Sequence, residues 1–334
     1  MVNYYLKLNT PVYICFLDIK SAYDRVSHWK LLSKLMERKV PMYLIKLIQF
    51  WLTEQKFYVR WSNKLSSAFT MTNGIRQGSI LSPYLFNVFV DDLNSQLSSC
   101  KIGCHVGGEA INNFSYADDL AIVCPNAVAV NDMLRICEKF AKDNYVLFSN
   151  KKSKCMRLLN NGRNDEAPPN IYLNGRTLEY VKQFKYLGHI ITEDFMDDED
   201  IKREMRSLSI RGNILLRKFH SCDIAVKKEL FRTFCYSCYC ASLWSRFRVC
   251  TFLRIKVIYN NIMRRLAGVP QWESAREMFV GLRMYTLPEL MRVKYYSLMR
   301  RVVKSENSVV VTLYRSDARK YSSIWERWNH DLFV

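Results

Sequence analysis

No run of about 18 apolar residues occurs anywhere in this 334-residue chain, so nothing in it reads as a membrane-spanning helix. The N-terminus lacks a basic stretch followed by a clean apolar core, which argues against secretion. No repeat or low-complexity tract stands out, and the hydrophobic content of 49% argues against disorder. Eleven cysteines are scattered without a regular framework, as expected for an intracellular, reducing compartment (nucleus or cytoplasm) where thiols stay free and mostly fill core space. The length suffices for about two domains with a sizeable core.

Acidic residues are the scarce charge: 31 against 50 Lys and Arg, a net charge of +19. Residues 1–198 hold 24 basic and 19 acidic residues and residues 199–334 hold 26 and 12, so the excess rises from +5 to +14. That asymmetry predicts a polyanion bound mainly by the C-terminal part; an anionic membrane surface would satisfy the charge as well.

What is present is organised around Asn113-Phe-Ser-Tyr-Ala-Asp-Asp-Leu-Ala-Ile-Val123. Asp118 and Asp119 sit between two short apolar runs that read as strands, a hairpin tip with two negative charges. Neighbouring carboxylates repel unless a cation lies between them, and hard Mg²⁺ takes one or two carboxylates plus water and phosphate oxygens. The plainer alternative is a solvated turn, but apolar residues run right up to both acids. A third acid, Asp18, ends the β-branched and aromatic run Val12-Tyr-Ile-Cys-Phe-Leu17.

Past Asp18 a helix-like segment carries Leu31, Leu32 and Leu35 on one side, and Tyr23 near its start closes a pocket floor or simply packs. Residues 41–60 read as an amphipathic helix, Phe57–Trp61 and Ser67–Met71 as a hairpin, and Asn73–Pro83 as a loop leading into a helix. In that loop Gly78 permits close approach of a ligand to the backbone, and Gln77 offers a neutral amide. The acidic run Glu193–Asp200 reads as a solvated linker capping the next helix. There Ile201, Met205, Leu208, Leu215 and Phe219 mark the apolar face, leaving Lys202, Arg203, Arg206, Arg211, Arg217 and Lys218 for a nucleic-acid backbone or for solvent. His220, Cys222, Cys235, Cys238 and Cys240 have zinc-like spacing, yet the last three lie in a segment apolar enough for a buried helix.

Taken together, the segments Leu17-Asp-Ile-Lys-Ser-Ala-Tyr23, Gly74-Ile-Arg-Gln-Gly-Ser-Ile-Leu-Ser-Pro83 and Tyr116-Ala-Asp-Asp119 resemble the A, B and C motifs of reverse transcriptases, most of all those of non-LTR (LINE-type) retrotransposons. Lys152-Ser-Lys-Cys-Met156 is similar to motif D and Phe184-Lys-Tyr-Leu-Gly188 to the primer-grip turn, so the resemblance runs from Asp18 to about residue 304. It implies an α+β fold: a polymerase palm with an antiparallel sheet and packed helices over 1–183, a primer-grip turn and acidic linker over 184–198, an all-α thumb over 199–270 and a helical extension over 271–334. It implies an RNA-directed DNA polymerase that adds deoxynucleotides to a DNA primer on an RNA template by a two-metal mechanism. Asp18, Asp118 and Asp119 would hold two Mg²⁺, with Asp18 and Asp118 the firmer direct ligands and Mn²⁺ as substitute. Ile19, Tyr23, Gln77 and Gly78 would contact the nucleotide, with Tyr23 excluding a ribose 2′-OH. Lys152 would protonate the leaving pyrophosphate, and Tyr186, Leu187 and Gly188 would grip the primer or the RNA–DNA hybrid.

The sequence departs from the family in two places. Only 17 residues precede Asp18 where the family has a long fingers region, and Ser149 stands where an Asn is usual. The resemblance therefore implies impaired catalysis, and leaves open a non-catalytic nucleic-acid-binding remnant that keeps the palm fold.

Overall fold

The run from Val12 forms strand β1 (Val12–Asp18), six of whose seven residues are buried, in a computed structural model that describes residues 1–159 and 167–330. Residues 160–166 and 331–334, in the first and last of the expected units, lie outside the described residues. Two antiparallel neighbours flank β1, namely β9 (Asp119–Cys124) and β10 (Lys154–Leu158). The sheet is completed by β8 (Asn113–Tyr116) beyond β9 and by a short parallel strand, β13 (Glu179–Tyr180), beyond β10.

Strand side chains alternate between faces, and here both faces are covered, which explains a nearly continuous apolar run. Tyr13, Cys15, Leu17, Leu120 and Ile122 join the larger core. That core is completed by helices α2 (His28–Glu37), α3 (Met42–Thr53), α4 (Ser82–Ser99) and α5 (Ala127–Asn144). Val12, Ile14, Phe16, Ala121 and Val123 point the other way, toward α1 (Val2–Lys7) and the hairpin of β14 (Gln183–Tyr186) and β15 (His189–Thr192). Each large apolar side chain so buried contributes roughly 1.5–3 kcal/mol. Local signals agree with this packing: the Asn126 side chain accepts a bond from the Ala129 N–H and so caps α5, worth about 1 kcal/mol.

The second half is helical. Helices α6 (Asp198–Lys218), α7 (Ile224–Cys235), α8 (Val249–Ala267), α9 (Ala275–Gly281) and α10 (Leu287–Val303) share one core that includes Leu208, Phe231, Trp244, Tyr259, Phe279 and Met291. This core runs without a break across residue 270, the expected edge of the thumb. Helices α11 (Ser308–Arg315) and α12 (Ser323–His330) return to the N-terminus, where Asn3 donates to Ser323 Oγ at 3.0 Å and the Tyr4 and Tyr321 rings lie 5.5 Å apart. The expected α+β class is the observed one, with packed helices on a sheet that is antiparallel except for its edge strand β13, followed by an all-helical part.

Three expectations are corrected. The helix read over 41–60 stops at Thr53, because the next residues pair as two nested hairpins: β2 (Lys56–Phe57) with β5 (Phe69–Thr70), and inside them β3 (Arg60–Trp61) with β4 (Lys64–Leu65). The acidic run is no solvated linker, since Asp200 is fully buried. And not all thiols are free: Cys15 and Cys155, directly opposed across β1 and β10 with Cα atoms 4.4 Å apart, form a disulfide.

Candidate active site

Asp18 and Asp119 are partners in the β1–β9 register, so their side chains project from the same face of the sheet. The connection from β8 is a tight tip in which Tyr116 pairs with Asp119 and only Ala117 and Asp118 lie between, Ala117 with φ of +52°. Asp18 is held by its backbone from the opposite side: its N–H donates to Ser153 Oγ at 3.1 Å and its carbonyl accepts from the Ser149 N–H at 2.9 Å. Lys152 Nζ stands 3.6 Å from Asp18 Oδ1, while Asp18 Oδ2 is buried without a hydrogen-bond partner among the described residues. Burial, then the charges of Asp118 and Asp18, push the Asp119 carboxyl above its ordinary pKa.

These side chains open onto a cleft of about 240 Å³ lined by Phe16, Asp18, Asp119, Lys152, Phe184 and Tyr186, among others. Its wall is the β14–β15 hairpin, seated by the Phe184 ring stacked on Phe16 at 4.1 Å and by the Tyr186 hydroxyl donating to the Phe114 carbonyl at 3.2 Å. Burial, then the charge of Asp119, carry the Tyr186 phenol up to about 12. The hairpin turns on Leu187 (φ +47°) and Gly188 (φ +83°), and Tyr239 of the helical half donates to the Leu187 carbonyl at 2.9 Å.

The segment after β1 and the Gly74–Gly78 loop are sewn together by backbone bonds. The Gly74 N–H donates to the Val26 carbonyl at 2.8 Å and the Ile75 N–H to the Tyr23 carbonyl at 2.9 Å. Gly74 has φ of +90°, and a Cβ there would sit 2.9 Å from the Asp24 carbonyl oxygen, so only glycine fits. Gln77 is exposed and Gly78 (φ +83°) faces open space. Tyr23 stacks on Phe86 with ring centroids 5.0 Å apart, and burial, then the charges of Asp118 and Tyr116, raise its pKa.

The structure therefore gathers Asp18, Asp119, Lys152 and Tyr186 around one cleft; Tyr23, Gln77 and Gly78 do not line it. Asp118 does not line it either, and among the described residues no group of three His, Cys, Asp or Glu side chains is assembled to hold a metal ion. The Ile19 side chain is buried in the larger core, and its backbone forms a bridge with Phe148.

On α6 the expected phosphate-binding set splits. Lys202 and Arg206 are exposed, Lys202 with Glu199 as ion-pair partner. Arg203 instead turns inward, its Nε 2.7 Å from Asp200 Oδ1 and its Nη1 3.1 Å from Glu204 Oε2, and Arg211 pairs with Glu204 at 2.5 Å. Asp200 also accepts from the Ile190 N–H at 3.1 Å and from Trp244 Nε1 at 2.8 Å. Periodicity could not show this, because the carboxylates that claim these arginines lie on the same helix and look solvated in one dimension. The Ser153 and Tyr239 contacts were likewise missed, and no sequence signal marks them.

The sheet, its strand-end acid and its acid-bearing hairpin are those of a nucleic-acid polymerase family: the reverse transcriptase (RNA-dependent DNA polymerase) profile matches residues 2–191, and the chain belongs to that family. Its relatives come from non-LTR elements. The RNA-directed DNA polymerase from mobile element jockey of Drosophila melanogaster is 24% identical over 304 residues, 88% of this chain and 32% of that protein. The Pol polyprotein of a type-1 retrotransposable element R2 of Popillia japonica is 25% identical over 198 residues, 56% of this chain and 33% of that protein. The chain thus spans about a third of the length of these relatives. Among solved structures, telomerase from Candida tropicalis in complex with a fragment of telomeric RNA matches 88% of this chain and 50% of that one, with TM-score 0.42 and 13% identity.

Proposed function

We propose that this chain is the polymerising part of a non-LTR retrotransposon reverse transcriptase, adding deoxynucleotides to a primer 3′-hydroxyl on an RNA template. The observation that carries the reading is the Asp18–Asp119 pair, aligned across β1 and β9 over a cleft with one carboxylate oxygen buried and unpartnered. An all-oxygen donor set with an orphaned Oδ2 suits a hard divalent cation such as Mg²⁺, and Asp118 at the adjoining tip would be the third ligand. Such ions, two in the mechanism we favour, would supply charge neutralisation for the nucleophile and the departing pyrophosphate. Lys152, exposed and 3.6 Å from Asp18, would be the group that hands a proton to the leaving pyrophosphate. Tyr23, set against Phe86, would limit space at the sugar, and Tyr186 to Gly188 would seat the primer end.

A second reading, nucleic-acid binding without chemistry, is favoured by one observation: no three carboxylates are assembled for a metal among the described residues. The two readings part in a primer-extension assay on an RNA template with Mg²⁺. Extension that disappears in the Asp18→Asn variant supports the polymerase; binding of primer–template with no extension at any metal concentration supports the second reading.

A further inference from the structure

From Gln55 to Val90 the chain carries no acidic residue, and within this stretch residues 58–70 are exposed without interruption. Together with Lys56 and Phe57 they form the nested hairpins β2–β5 and β3–β4, which follow the end of α3. Projecting hairpins usually blunt themselves with polar side chains, yet here Trp61 is 81% exposed, Leu65 66% and Tyr58 54%. Lys56, Arg60 and Lys64 alternate with these residues, and none of the three forms an ion pair among the described residues.

The register sharpens the pattern. Trp61 is the partner of Lys64, so an indole and an ammonium share one face; Arg60 and Leu65 share the other. A flat exposed ring beside a free cation, with further exposed cations within a few residues and no acid, is complementary to an unpaired nucleic-acid strand: bases stack on rings and phosphates meet cations. An acidic protein partner would use the charges but would leave the ring's flat face without a matching surface. The strand that ends the hairpin, β5, runs directly on through Met71 and Thr72 into the Asn73–Gly78 loop, which is bonded to the segment following Asp18.

We propose that the hairpin of residues 56–70 is a binding surface for single-stranded nucleic acid, with Trp61 as stacking platform and Lys64 as phosphate contact. The inference deepens the polymerase reading, on which it rests for the strand's identity as unpaired template led toward Gln77 and Gly78. It predicts sequence-tolerant binding, because every base offers a π-face.

The test uses the full chain in EDTA, so that no chemistry is being read, with fluorescein-labelled oligo(U) and a blunt RNA–DNA hybrid as probes. Trp61→Ala is expected to weaken oligo(U) binding about tenfold while leaving the hybrid unchanged, and Trp61→Phe to lose less than about threefold. Lys64→Glu is expected to lower the slope of log affinity against log salt by about 1. These side chains are solvent-exposed, so thermal melting should be unaltered. Unchanged oligo(U) affinity in Trp61→Ala overturns the proposal, as does an equal loss on the hybrid. Self-association abolished by Trp61→Ala with oligo(U) affinity intact would assign the face to a second copy of the chain instead. Failure of primer extension leaves these binding results standing, so the two readings fail separately.

Discussion

His189 and Asp200 meet 3.1 Å apart where the β14–β15 hairpin joins the start of α6, with Asp197 3.7 Å from the other ring nitrogen. The contact fixes the strand that follows the Leu187–Gly188 turn against the helical half. It also makes the junction titratable.

Burial works against a charged imidazole, but the contacts with Asp200 and Cys240 and the charges of Asp200 and Asp197 outweigh it and raise His189 to about 9. Burial also opposes the charged form of Asp200, but His189, Arg203 and Trp244 hold its carboxyl well below the ordinary carboxylate range. A raised histidine stabilises the fold fully below its unfolded pKa near 6.5, and that contribution is lost as pH rises through about 9. Chemical denaturation of the full chain should therefore show stability falling between those limits, by on the order of 3 kcal/mol. The His189→Gln variant should be less stable at pH 6 and lack this slope; an identical slope in the variant would assign the loss to other groups.

Asp18→Asn replaces the carboxylate proposed to hold a divalent cation by a neutral amide, which binds a hard cation more weakly. Extension should fall roughly a thousandfold or more, while affinity for primer–template stays within about twofold. Chelating the divalent ion in the wild type should have the same effect and be reversed by adding Mg²⁺. Substantial extension by the variant would remove Asp18 from the chemistry.

Tyr23→Val separates sugar selection from packing. Loss of the ring stacked on Phe86 should cost about 1–3 kcal/mol, read by denaturation. If the ring also blocks a 2′-hydroxyl, the ratio of ribonucleotide to deoxynucleotide incorporation should rise. A destabilised but still active variant with an unchanged ratio would leave Tyr23 a packing role alone.

The two kinds of basic residue on α6 should behave oppositely. Removing Arg203 or Arg211 leaves the buried Asp200 or Glu204 short of its partner and should cost about 3–5 kcal/mol of stability. Lys202→Gln and Arg206→Gln should leave the melting temperature within a degree or two and flatten the salt dependence of nucleic-acid binding. Equal effects in both pairs would contradict the inward orientation of Arg203 and Arg211.

Gly188→Ala meets two obstacles at once: φ of +83° and the Tyr239 ring, 2.7 Å from where the Cβ would be. Stability should drop by about 1–2 kcal/mol, and primer affinity should weaken if this turn seats the primer. Tyr239→Phe, which loses only the hydroxyl bond to Leu187, should cost less, and a larger loss than in Gly188→Ala would reverse the order of importance.

Residues close in the chain were legible because their signals are local. The apolar run ending in Asp18, the acid pair between two strands, the glycine of the Gln77–Gly78 loop and the stripe on α6 each follow from backbone period and residue type. The motif resemblance pointed to the family that the chain belongs to.

Tertiary structure alone decided which charges face inward and which partners lie far apart in the chain. Arg203 looks like Lys202 to any reading of period, and only the approach of the β14–β15 hairpin and Trp244 makes Asp200 a buried carboxylate that must claim it. The Cys15–Cys155 bond needs the register of two strands 140 residues apart, and the return of the C-terminal helices to Asn3 and Tyr4 needs the whole chain. Asp18 and Asp119 were visible as acids, but their alignment side by side is a property of the β1–β9 pairing, since a shift of one residue would turn one of them to the opposite face of the sheet.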